Sequence, residues 1–126
     1  MRVLILADDL IWSTRLIAHV RAAGADATPV RTLAALDQAL PGADAVIVDL
    51  TARVYDGVDA VRRASQAGRR VLAVGQHDNA ELRRRALDAG AERVHPYRKL
   101  FEDGPATLAR WLATGAAGDA VKTPAG

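Results

Sequence analysis

The chain has 126 residues, half of them hydrophobic, which suits one domain around one core and leaves no room for two. Its formal net charge is only +2, so nothing demands a polyanionic partner, although 15 of its 17 basic residues are arginine. It has no cysteine, which excludes disulfides and thiolate metal sites, and no apolar run near the ~20 residues of a membrane span; a cytoplasmic setting is expected.

"RVLIL" (2–6) is a short, branched, continuous apolar run, the pattern of a buried strand. Residues 11–23 place Leu16, Ile17 and Val20 on a helical stripe, and Gly24 is a natural stop. "ATPVRT" (27–32) reads as a weaker strand that Pro29 confines to an edge. Residues 33–40 form a helix with Leu33, Leu36 and Leu40 on one face, behind Thr32 as N-cap. "DAVIVDL" (44–50) is the strongest strand. A polar loop precedes a helix from about Val58 to Ala67, stopped by Gly68. "RVLAV" (70–74) is another buried strand. Asp78 to Ala89 is helical, with Asp78 and Glu81 spaced as a capping box, and Gly90 ends it. "AERVH" (91–95) is the last strand. Asp103, Gly104 and Pro105 open a final helix to about Ala113, with Leu108, Trp111 and Leu112 turned inward.

Five strands alternating with helices imply a parallel sheet covered on both faces. The domain therefore spans residues 1–113. The segment 114–126 has no apolar periodicity and is expected to be a flexible tail or linker stub.

In such a sheet, sites form at the carboxyl ends of the strands where strand order reverses. Asp8 and Asp9 end the first strand and Asp49 ends the third. If the strands follow the flavodoxin-like order 2-1-3-4-5, one of the two common orders of such sheets, these strands are neighbours and three carboxylates share a crevice. A shared crevice is unfavourable without a counter-ion. A hard divalent cation such as Mg²⁺ answers it, and one carboxylate is then free to attack a phosphoryl group. The plainer alternative is that Asp8 or Asp9 caps the next helix and Asp49 satisfies loop amides.

With these acids in place, the chain resembles the receiver domain of bacterial response regulators over residues 1 to about 113. "LADD" ends the first strand and "VIVDL" the third. Asp56 and Gly57 follow Asp49 at the spacing of the family's acceptor loop, and "ALDAGA" (86–91) resembles its lead into the fifth strand. The resemblance implies a flavodoxin-like (βα)5 fold, a doubly wound five-stranded parallel sheet of order 2-1-3-4-5. It implies that Asp49 accepts phosphate from a histidine kinase. Asp8, Asp9, Asp49 and the backbone carbonyl of Thr51 would hold Mg²⁺. The family is a signalling family, so no catalytic residues are expected.

The departures lie opposite the acids. Where the family has Thr or Ser at the end of the fourth strand, this chain has Gly75. The switch aromatic is Val94. The lysine–proline pair is Tyr97 and Arg98. Lys99 is a candidate substitute cation. Alternatively, "HP" (95–96) stands in for the pair and points His95 at the pocket. An interaction module with an impaired phosphorylation switch is therefore expected ahead of a working phosphoacceptor.

Other readings are weaker. The turn "ADDLIWS" has no glycine for a dinucleotide pyrophosphate. The arginine groups 62–63, 69–70 and 83–85 read as solvated helix faces or strand-entry charges, not a nucleic-acid surface. Trp111 is expected in the core, and Trp12 in the core or at the pocket mouth. Leu100 and Phe101 are candidates for a homodimer face made by the fourth helix, fifth strand and fifth helix.

Overall fold

The runs 3–6, 45–48 and 71–74 are wholly buried, as central strands of a sheet covered on both faces must be. The computed structural model describes residues 1–76 and 79–125, with side chains described through residue 113. In chain order the elements are β1 (Arg2–Leu6), α1 (Leu10–Ala22), β2 (Asp26–Val30) and α2 (Leu33–Ala39). A 3₁₀ turn (Leu40–Gly42) leads to β3 (Ala45–Asp49), α3 (Gly57–Gln66) and β4 (Arg70–Gly75). Then come α4 (Ala80–Ala89), β5 (Arg93–Pro96) and α5 (Tyr97–Ala125). The sheet order is β2-β1-β3-β4-β5 and every described pairing is parallel, the expected doubly wound fold. Pro29 sits on β2 at the edge, where a missing N–H is tolerated.

Strand alternation splits the apolar residues into two layers. Leu4, Leu6, Val46, Val48, Val71 and Ala73 face α2, α3 and α4. Val3, Ile5, Ala45, Ile47, Leu72 and Val74 face α1 and α5, against Leu16, Val20, Leu108 and Trp111. A fully buried leucine in either layer stabilises the fold by about 1.5–3 kcal/mol relative to exposure.

The helix ends follow local chemistry. Thr32 Oγ1 accepts from the Ala35 amide at 3.1 Å, as expected, and Asp56 Oδ1 caps α3 through the Asp59 amide at 3.1 Å. Two ends differ from expectation. Asn79, whose Oδ1 accepts from the Leu82 amide at 3.0 Å, caps α4, which starts at Ala80. The capping box proposed at Asp78 falls outside the described residues. The last helix begins at Tyr97, straight after β5, and Asp103 is the non-helical break between its two stretches. The sequence pattern locates only the second stretch, because the first shows a single buried anchor, Leu100. The helical backbone continues to Ala125, past the end near residue 113 marked by the apolar stripe.

The arginine groups are largely tied down locally. Arg62 and Arg63 pair with Asp59, Arg63 also with Asp37, Arg70 with Glu92, and Arg84 with Glu81 and Asp88. No described helix is long and apolar enough to cross a membrane.

Candidate functional site

The carboxyl ends of β1 and β3 open into a cavity of about 430 Å³ lined by Asp8, Asp9, Trp12, Asp49, Thr51, Arg53, Tyr97 and Phe101. The three acids therefore meet on one crevice, as strand order required. Each, however, is already engaged by the protein's own donors. Asp9 Oδ1 accepts from the Trp12 amide at 2.9 Å and so caps α1, the plainer of its two expected roles. Asp8 Oδ2 accepts from the Arg53 amide at 3.1 Å, while its carbonyl takes Arg31 Nη2 at 3.0 Å.

Asp49 is only 3% exposed, and its Oδ1 is crowded. It accepts from the Thr51 amide and the Thr51 hydroxyl, each at 3.0 Å. It also accepts a hydrogen bond from the Tyr97 hydroxyl, which lies within bonding reach of Thr51 Oγ1 as well. Burial first, then the hydrogen bond to Asp49, holds the Tyr97 phenol well above the usual range, so it remains a neutral donor. Trp12 packs edge-on against the Tyr97 ring, centroids 4.8 Å apart at 87°. That contact fixes the phenol over the acid.

The three carboxylates are not gathered around one point as they stand, although each keeps an oxygen free of these bonds: Asp8 Oδ1, Asp9 Oδ2 and Asp49 Oδ2. Among the described residues, no group of three or more His, Cys, Asp or Glu side chains is placed to hold one. Amides, one threonine hydroxyl and one phenol already answer part of the charge that called for Mg²⁺.

The switch positions are also placed. Tyr97 occupies the pocket position where the resemblance puts lysine. Gly75 ends β4 beside Leu50 and Thr51, and a Cβ there meets only ordinary contacts of 3.6–4.0 Å. Val94 packs into the layer beneath α4, on the opposite face of β5 from His95. Neither His95 nor Lys99 reaches the acids. Both line a separate cavity with Arg93, Thr107, Arg110 and Trp111. Strand alternation turns His95 toward α5, and the turn of α5 carries Lys99 to the side opposite Tyr97. Neither is the substitute cation of this pocket. Leu100 is fully buried and cannot contribute to a homodimer face, while Phe101 is exposed at the acid cavity, with the Arg15 guanidinium 3.9 Å from its ring centroid.

Tyr55 is the participant that spacing does not reveal. It is buried, and its hydroxyl lies 2.9 Å from the Leu6 carbonyl and 2.8 Å from the Asp49 carbonyl, spanning the ends of β1 and β3. An aromatic inside the otherwise polar loop "TARVYDG" is the available signal. Gly57 lets that loop close: a Cβ there would lie 2.7 Å from Leu50 Cα.

No protein-family model matches the chain, and no curated protein matches it. Solved structures do. The signal receiver domain of a putative LuxO repressor protein from Vibrio parahaemolyticus superposes with a TM-score of 0.78 at 20% identity, covering 95% of each chain. That of a DNA-binding response regulator (merR) from Colwellia psychrerythraea gives 0.76 at 19% identity, covering 90% of this chain and 98% of the other. A BeF3-activated DrrB receiver domain gives 0.77 at 16% identity, covering 89% and 97%. With its strand order, its acids at the ends of β1 and β3 and these superpositions, the chain has the fold of response regulator receiver domains.

Proposed function

We propose that the chain is an atypical receiver of the response regulator family, acting in signal transduction as a protein-interaction module whose phosphorylation switch is impaired. One observation carries this reading: the Tyr97 hydroxyl occupies Asp49 Oδ1 where the resemblance implies a lysine. A lysine ammonium would pair with both the acceptor and its phosphate. A phenol neutralises neither, and it blocks one of the two acceptor oxygens. The absence of a hydroxyl at Gly75 removes a second phosphate contact. The partners are signalling proteins, met in the cytoplasm and not on nucleic acid or a membrane. The chain performs no catalysis of its own. Self-association through α4, β5 and α5 belongs to the same proposal.

A second reading keeps Asp49 as a phosphoacceptor for a histidine kinase. It is favoured by the position of Asp49 at the end of β3, and by Oδ2, which the bonds above leave untaken. It requires Tyr97 to swing out. Mg²⁺ would then be held through the oxygens left free, Asp8 Oδ1 and Asp9 Oδ2, with Asp49 and the Thr51 carbonyl.

Intact-mass measurement after incubation with Mg²⁺ and a small phosphodonor decides between them. The wild type is expected to gain no phosphoryl group, whereas the double variant Y97K/G75S gains one that is lost again when D49N is added. A phosphoryl group on the wild type that D49N abolishes would establish the second reading.

A further inference from the structure

The cavity that took His95 and Lys99 away from the acids has a chemistry of its own. It measures about 240 Å³ and is lined by Arg93, His95, Lys99, Thr107, Arg110 and Trp111. Arg93 and His95 come from one face of β5, Lys99 from the first stretch of α5, and the other three from the second stretch. Three separate segments thus converge three permanent cations and one imidazole on one space. Among the described residues, the acid that pairs with them is Asp103, 3.3 Å from Arg110. Arg93 and Lys99 make no ion pair among the described residues. Thr107 is 4% exposed, and its Oγ1 accepts from Arg110 Nη2 at 3.5 Å, steadying the guanidinium at the cavity wall. Trp111 Nε1 is a buried donor with no hydrogen-bond partner.

Arg93, Lys99 and the buried Trp111 indole are donors without a protein acceptor among the described residues, the first two reaching the cavity from the surface. An unmatched buried donor and converging like charges both cost stability, and an anion removes both costs together. A planar carboxylate is satisfied by one arginine fork. Donors arriving from three directions suit a tetrahedral, doubly charged group. We propose that the cavity between β5 and α5 binds the phosphoryl group of a small phosphorylated anion. The site is separate from the acid pocket and does not depend on whether Asp49 is phosphorylated.

The histidine provides an independent reporter. Burial first, then Lys99, Arg93, Arg83 and Arg110, holds the His95 imidazole below its ordinary range. An anion seated among those cations screens them, so binding raises the His95 pKa and strengthens as pH falls through it.

The experiment is an NMR titration of the full chain at fixed ionic strength, with inorganic phosphate and, separately, glycerol 3-phosphate. It follows the His95 ring protons and the Trp111 indole N–H. Saturable shifts of both signals and a raised His95 pKa are expected. Affinity should fall about tenfold or more in R93Q and in R110Q, as loss of a charged hydrogen bond predicts, and stay unchanged in R62Q on α3. Saturation by both probes places recognition on the phosphoryl group itself, and saturation by the ester alone adds a requirement for its carbon substituent. Shifts that do not saturate, or that persist at wild-type affinity in R93Q and R110Q, would overturn the site.

Discussion

Two cavities flank the same stretch of chain, and they resolve charge in opposite ways. Residues 93–101 send Tyr97 and Phe101 to the acid pocket, and Arg93, His95 and Lys99 to the basic one. In the acid pocket every carboxylate has found at least one donor within the protein, so part of its charge is answered without a ligand. In the basic cavity only Arg110 has an acid partner among the described residues, so that space remains chemically open. Proximity of like charges alone therefore does not identify a ligand site. What matters is whether the surrounding backbone and hydroxyls already answer the charge.

The sharpest way to break the acid pocket and spare the other is Gly57→Ala. The added Cβ meets Leu50 backbone at 2.7–3.2 Å, which no rotamer relieves, so the loop carrying Thr51, Arg53 and Tyr55 must shift. A loss of about 3 kcal/mol is expected in urea unfolding, the upper end of overpacking costs. A midpoint equal to wild type would show that the loop closes without needing a bare glycine. Tyr55→Phe is the next test. It removes the hydroxyl between the Leu6 and Asp49 carbonyls, and a buried hydrogen bond lost there is expected to cost about 1–3 kcal/mol in the same assay.

These two residues also show where reading the sequence succeeds and where it stops. The strands were legible because continuous apolar runs such as "VLIL" and "AVIV" have one physical use, burial between two helical layers. Strand order then brought Asp8, Asp9 and Asp49 to one crevice, and the structure keeps them there. What the sequence could not say was who would answer their charge. The donors are mostly backbone amides, at Trp12, Thr51 and Arg53, which every residue possesses and no pattern marks. Likewise, Tyr97 and Lys99 are two residues apart, and only the start of α5 directly after β5 decides which faces the acids. That start is hard to see, because Leu100 is the sole buried anchor in the stretch from Tyr97 to Glu102.

Tyr97→Phe sharpens the comparison further. It keeps the ring against Trp12 and removes only the donor to Asp49. Stability is expected to fall by about 1 kcal/mol, since Thr51 still supplies two donors to the carboxylate. The matching change in the basic cavity, Lys99→Met, has the opposite sign. It removes one of several converging cations, so stability rises by a few tenths of a kcal/mol at low salt, and the gain fades as salt is added. A loss on Lys99→Met would mean that the ammonium has a partner and the cavity is not short of acceptors.

The smallest effect is a pH dependence that separates the two cavities. His95 and His19 both titrate below the ordinary histidine value of 6.5. Burial leads in each case, reinforced by Lys99 and Arg93 at His95 and by Arg15 at His19. The unfolded chain therefore takes up protons at a higher pH than the folded chain does. Stability is greatest above 6.5, declines as pH falls through the interval down to the folded pKa values, and levels off below them. In Lys99→Met the His95 contribution to that decline shrinks, because one of the repelling cations has gone, while the His19 contribution persists. Saturating phosphate shrinks it by screening the same cations and adds stability of its own through binding. Tyr97→Phe, which alters only the acid pocket, leaves the slope unchanged. Urea titrations across this interval compare the slopes directly, and an equal slope in wild type and Lys99→Met would uncouple His95 from the basic cavity.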